Sequence, residues 1–159
     1  MNIFYLHNDP VKCAEMHCDK HVVKMIVEYA QLMSTAHRLL DNNDQVYKPT
    51  HPKHPSTIWT RASKANYDWL FQLWTMLLDE YTHRYGKRHA CEKMYSVLFN
   101  APANIEAGPF TEPTPAMPDE YKVAGNSIMS YRGYYIGAKK ALLTWKGRQI
   151  PNWISQQTG

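Results

Sequence analysis

The stretch that most constrains this chain is Cys18-Asp19-Lys20-His21-Val22-Val23-Lys24-Met25-Ile26-Val27-Glu28-Tyr29-Ala30-Gln31. On a helical projection of about 100° per residue, His17, His21, Lys24, Glu28, Gln31 and Thr35 fall on one stripe. Val22, Val23, Met25, Ile26, Val27, Tyr29, Ala30, Leu32 and Met33 fill most of the remaining circumference. A helix apolar over so wide an arc is expected to be buried on most sides. Its one polar stripe, carrying two imidazoles, an ammonium and a carboxylate, then faces either solvent or a cleft.

Asp9-Pro10 starts this helix, with a carboxylate at the N-cap and proline at the first helical position. The pattern carries it to about Leu40, where Asp41-Asn42-Asn43-Asp44 stops it. Three prolines between Val46 and Pro55 hold the next loop semi-rigid. Ser56 or Thr57 is then expected to cap a second helix that runs to Tyr85, with Gly86 as its stop. On that helix Arg61, Lys64, Asp68, Gln72, Thr75 and Asp79 read as a solvated face. A short third helix is expected over Cys91 to Phe99, and a last one over Ser127 to Trp145. Between them lies an irregular segment, Asn100 to Asp119, with five prolines. Strand signals are weak throughout. The expected fold is therefore all-α, a single domain over residues 1–159 of three to four helices tied by long proline-rich loops.

Composition narrows the function classes. With 44% apolar and 20% charged residues the chain is globular. Three cysteines argue against a secreted disulfide framework and for a reducing cytoplasm. No stretch approaches the roughly 18 to 20 apolar residues of a membrane span, so no membrane partner is expected. The net charge of +4 permits an anionic partner without demanding one. The glycines are scattered, and neither a phosphate-cradling loop nor a Gly-x-Ser-x-Gly elbow is present, which removes the nucleoside-triphosphatase and serine-hydrolase readings. No motif calls for an organic cofactor.

Several constellations can carry chemistry. His17 and His21 share the i, i+4 spacing of a metal pair, with Cys13 one turn earlier, although no His-Glu-x-x-His or Cys-x-x-Cys pattern supports it. Glu28 beside Lys24 reads as a surface ion pair or as a partly desolvated general acid/base with His21 above it. The C-terminal third interleaves Arg132, Tyr134, Lys139, Lys140, Trp145, Lys146 and Arg148, as a nucleic-acid surface does, where cations hold phosphates and rings stack on bases. His51 and His54 sit on the rigid loop, from which they can close over a site at the first helix. A second reading makes the stripe, with His17 and Gln31, the lining of a pocket that binds or hydrolyses a nucleotide or nucleoside. A third is the metal protein built on Cys13, His17 and His21, and a fourth is an interaction protein without chemistry.

The order of these features resembles the endonuclease V-type pyrimidine-dimer DNA glycosylases, small all-α repair enzymes of phages and bacteria. The resemblance rests on a short apolar N-terminal segment, Asp19-x-His21 with six residues before Glu28, and His54-Pro55. It continues through an aromatic second helix ending in Glu80-Tyr81-x-x-Arg84-Tyr85-Gly86 and an aromatic, basic C-terminus. The chain is also similar to small proteins of tailed phages, a likeness that implies no function. The family resemblance implies a DNA N-glycosylase, with or without a lyase step, that acts on damaged or modified bases. It further implies an N-terminal α-amine as nucleophile and a glutamate on the first helix as its partner, which gives Glu28 that role and His21 a supporting one. An α-amine is less basic than a lysine side chain and so offers a neutral nucleophile closer to neutral pH. Family members expose a small residue after methionine removal. Here Asn2 is bulky enough to keep Met1, so the nucleophile becomes the Met1 amine. The arginines that flank the family's glutamate are replaced by Val27 and Gln31.

Overall fold

A computed structural model describes residues 1–155. Those residues form α1 (Pro10–Met16), α2 (Asp19–Asp41), α3 (Pro55–Ala62), α4 (Lys64–Tyr85), α5 (Tyr95–Leu98), α6 (Ser127–Ala138) and α7 (Asn152–Ser155). Single 3₁₀ turns lie at Ala90–Met94, Asp119–Tyr121 and Lys140–Leu142, and no strand is present among the described residues. The all-α class is as expected, but the helices among the described residues number seven, because two long ones are broken and the short α7 was unforeseen.

The first break falls at His17 and Cys18, where both backbones are extended. A break frees carbonyl and amide groups that must find partners elsewhere. Buried Arg84 donates to the carbonyls of Glu15 and His17, at 2.9 and 2.8 Å. The Cys18 amide donates to the Tyr135 hydroxyl at 3.2 Å and that of Asp19 to the Thr144 carbonyl at 2.8 Å. The second break, at Ser63, is similar: its hydroxyl caps α4 at Asn66 and donates to the Pro109 carbonyl, while the Lys64 amide donates to the Glu106 carbonyl. The cap of α3 is His54, whose Nδ1 accepts from the Ser56 amide at 3.0 Å, rather than Ser56 or Thr57. The last helix ends at Ala138 instead of Trp145, and the chain beyond it is held by tertiary contacts.

Helix ends with local signals fall where expected. Gly86 takes φ 70° after α4, and Asn42 takes φ 52° after α2. The α2, α3 and α4 helices pack on one another, with α1 against α4. Their shared core holds Trp74, Tyr67, Leu70, Ile26 and Met33, and receives Tyr131 and Tyr135 from α6. Residues Ile3 to Leu6 are buried in it as an irregular segment, in which the Leu6 amide turns back to the Phe4 carbonyl at 3.0 Å. The polar stripe of α2 faces this segment and α6, so His21 and Thr35 are buried, while Val23 and Val27 of the presumed apolar arc face solvent. The chain beyond α6 is docked on the helices, with Trp153 buried. No described helix is long and apolar enough to cross a membrane.

Candidate functional site

The buried N-terminal segment delivers the Met1 α-amine to the middle of α2. Its nitrogen lies 3.3 Å from Glu28 Oε1, with the Met1 side chain 8% and the Glu28 side chain 16% exposed. Lys24, one turn earlier and 72% exposed, brings its Nζ to 3.7 Å from Glu28 Oε2. That same Oε2 is buried and accepts no hydrogen bond among the described residues. The carboxylate therefore has two cations near it, and its Oε2 is left free to accept a hydrogen bond.

His21 lies seven residues before Glu28 on α2, nearly two turns away. Its ring stacks on Phe4 with centroids 4.2 Å apart, and its Nδ1 lies 2.6 Å from the Tyr135 hydroxyl. That hydroxyl also accepts the Cys18 amide at 3.2 Å, and in the tautomer in which it donates to His21 Nδ1 the ring presents Nε2 as its N–H. Burial, helped by the positive surroundings of His17, Lys139 and Lys24, pushes the His21 imidazole down to about 3. At neutral pH His21 is thus a neutral hydrogen-bond donor. It lines a cleft of about 600 Å³ together with Lys20, Lys24, Lys139 and Thr144.

His17 belongs to a different environment. Its two nitrogens meet the Cys13 carbonyl at 2.7 Å and the Tyr29 hydroxyl at 2.9 Å, and burial lowers it to about 4. The metal reading of Cys13, His17 and His21 fails on geometry, since the break at His17 destroys the helical spacing and the Cys13 thiol donates to the Phe4 carbonyl. Among the described residues no group of three His, Cys, Asp or Glu side chains is placed to hold a metal.

The loop is tied to α2 through the Thr50 amide, which donates to Thr35 Oγ1, and Thr35 in turn donates to the Gln31 carbonyl. His54 lies close enough to Met1 that, after burial, the N-terminal ammonium and His51 are what lower its basicity. His51 itself is exposed, with φ 45° and its Nδ1 2.9 Å from the Thr50 hydroxyl.

The C-terminal cations divide. Lys139 lies over the Tyr134 ring at 5.0 Å and Lys146 over Tyr85 at 5.3 Å, both at the cleft side, and Lys140 is exposed. Tyr134 also lies parallel to Phe4, 6.4 Å away. Trp145, expected at the surface, is buried with its indole donating to the Met16 carbonyl at 2.8 Å. Arg148 is drawn inward too, donating to both Glu80 oxygens, at 2.6 Å from Oε1 and 3.2 Å from Oε2. Arg132 donates to the Leu6 carbonyl at 2.9 Å and lies 5.3 Å over Trp153.

Sequence reasoning gave no part to Phe4, Tyr29 or Tyr135, whose hydroxyls and ring hold the histidines. Their apolar positions made them core residues, and only their burial beside imidazoles exposes the second role. The Glu80 and Arg84 pair was visible as an i, i+4 spacing. Its meaning emerges from Arg84, side chain wholly buried, which joins Glu80 at 2.7 Å and Asp19 at 3.0 Å. Burial alone would raise the Glu80 carboxyl, but hydrogen bonds from Arg148 and Arg84 outweigh it and hold it below the usual range.

No curated protein and no solved structure matches the chain. A family model of pyrimidine dimer DNA glycosylases matches residues 1–93, which contain Met1, His21, Lys24, Glu28 and the Arg84 network. The chain belongs to the pyrimidine dimer DNA glycosylase family.

Proposed function

We propose that this protein is a DNA N-glycosylase acting on a damaged or modified base, with the Met1 α-amine and Glu28 as its reacting pair. The observation that carries the reading is the 3.3 Å approach of the amine to a half-sheltered carboxylate. The amine attacks C1′ of the target nucleotide; an N–C1′ bond forms, the glycosidic bond breaks, and its electron pair leaves with the base. Glu28 accepts the proton released by the amine and returns it to the departing base, then assists opening of the sugar to a protonated imine. Loss of the C2′ proton with departure of the 3′ phosphate is the lyase step that this imine permits. The neutral Nε2–H of His21 offers a hydrogen bond to the substrate from the cleft.

A base inside a duplex is out of reach of such a pair, so the nucleotide must leave the stack. Lys24, Lys139, Lys140 and Lys146 are the cations available to the phosphates, and Tyr134 the ring available for stacking. Trp145 and Arg148 are left out of this surface because their polar groups are used internally. Three free thiols suit a reducing cytoplasm.

The test is incubation with ultraviolet-irradiated and base-modified duplexes in the presence of borohydride. The expected result is base release and a covalent adduct on Met1, both lost in Glu28→Gln. No release, no adduct and an indifferent Glu28→Gln overturn it. A second reading, a nucleotide or nucleoside hydrolase or binding protein, is favoured by the size of the lysine-rimmed cleft, about 600 Å³. Its signature is a rise in melting temperature with free nucleotides and no duplex binding at low salt.

A further inference from the structure

We infer that Tyr29, His17 and Cys13 are positioning residues which clamp the peptide of Phe4 and thereby hold the Met1 amine against Glu28. The purpose of the clamp rests on the glycosylase reading, whereas its existence can be tested without it.

The problem the fold has to solve is register. An irregular segment with no neighbouring strand has no ladder to fix it, and most of its buried backbone groups need side-chain partners. Three residues of extended chain reach roughly 10 Å, so an unfixed Phe4 would let the amine wander well beyond contact with Glu28. Both polar groups of Phe4 are instead held. Its amide donates to the Tyr29 hydroxyl at 3.0 Å, and its carbonyl accepts from the Leu6 amide at 3.0 Å within the segment and from the Cys13 thiol at 3.2 Å, which ties it to α1.

These bonds form one directed circuit. The Cys13 carbonyl 2.7 Å from His17 Nδ1 can only accept, so Nδ1 carries the proton and Nε2 is the acceptor. The Tyr29 hydroxyl, 2.9 Å from Nε2, must donate there, which leaves its oxygen to receive the Phe4 amide. Every donor finds an acceptor, and a circuit with no free direction has no second arrangement of equal quality. His21 stacked on the Phe4 ring, and Arg132 on the Leu6 carbonyl, fix the same segment from other sides. Hydrogen bonds that merely satisfied the core would make the variants less stable without freeing the N-terminus selectively.

Selective acylation of the α-amine by a succinimidyl ester, read at Met1 by peptide mass spectrometry, separates the two cases. Labelling of the Cys91 thiol, buried at another part of the core, reports general loosening. Tyr29→Phe and Cys13→Ala are expected to acylate at Met1 about tenfold faster, as a local opening of the segment would give, with Cys91 labelling unchanged. Cys13→Ser, which keeps a donor for the Phe4 carbonyl, is expected to label as the parent does. On a duplex substrate the first two variants lower kcat and leave KM alone. Unchanged Met1 acylation in both variants, or a rise matched at Cys91, overturns the clamp. Should Tyr29→Phe fail to fold, the two Cys13 variants decide it. A parent protein inactive on every duplex would sink the glycosylase reading while the acylation rates still report on the clamp.

Discussion

Two clusters of charge lie on opposite sides of α2, and they are built to different standards. At Asp19, Arg84, Glu80 and Arg148 every charged group is matched. Arg84 reaches two carboxylates and two carbonyls, Glu80 takes two guanidinium groups, and Asp19 also receives the Thr144 hydroxyl at 2.8 Å and the Lys146 amide at 2.9 Å. At Met1, Glu28 and Lys24 the contacts are 3.3 and 3.7 Å, and one carboxylate oxygen has no hydrogen bond. The first cluster fastens the α1 terminus, α4 and the C-terminal tail into one piece. The second keeps a carboxylate and an amine together with one carboxylate oxygen unpaired, as the proton-transfer role proposed for Glu28 would use.

The contrast can be broken most forcefully at Arg84. Removing it by Arg84→Ala leaves Glu80 to Arg148 alone, takes the one guanidinium from Asp19 and unpairs two buried carbonyls, so urea denaturation is expected to show a loss of about 3 to 5 kcal/mol, or no folded protein. Glu28→Gln should do the opposite. Its midpoint shift should correspond to no more than about 1 kcal/mol, while base release falls by about 10² or more, as loss of an acid/base group does. A large stability loss with retained activity would place Glu28 in the scaffold instead.

Acid separates the clusters as well. His17 and His21 are held at about 4 and about 3 in the fold, below the ordinary value of 6.5. The unfolded chain therefore binds more protons than the folded one below pH 6.5, and the stability these two contribute, present above that pH, drains away as pH falls toward their folded values. Each adds a slope of at most about 1.4 kcal/mol per pH unit. The Glu80 network, also depressed, begins to be lost only below its ordinary value of 4.5. Chemical denaturation between pH 6.5 and 4.5 should thus report the buried histidines, to which His37, also lowered by burial, adds its share, and a flat profile there would deny their burial in the neutral form.

The smallest effects belong to the exposed cations. Lys139→Ala should leave stability within about 0.5 kcal/mol and lower the slope of log duplex affinity against log salt by about 1, which a fluorescence titration at several salt concentrations measures. Lys24→Ala should cost only a few tenths of a kcal/mol as an exposed pair, roughly 0.2 to 0.5. An Arg148→Ala variant with the salt slope unchanged would confirm that this cation serves the scaffold.

What the chain states locally, it states well. The Asp9-Pro10 start, the Asn42 and Gly86 stops and the absence of strand all follow from capping chemistry and apolar spacing that act within a few residues. The Asp19-x-His21 and Glu28 register, with Glu80 and Arg84, carried the resemblance that the family match bears out. Other features depend on partners far along the chain. His17 and Cys18 leave the helix because Arg84, Tyr135 and Thr144 meet the groups they free, and Ser63 leaves it for residues 106 to 109. Trp145 and Arg148 turn inward because Met16 and Glu80 are waiting for them, which no periodicity records. The sequence by itself determined the helical segments and placed Glu28 on the polar stripe of the longest one. Only the tertiary structure decided that His21, Glu28 and Thr35 of this stripe are sheltered while Lys24 stays in solvent, and that the amine of Met1 lies against Glu28, because a side chain's protonation and reach depend on neighbours that local spacing cannot supply.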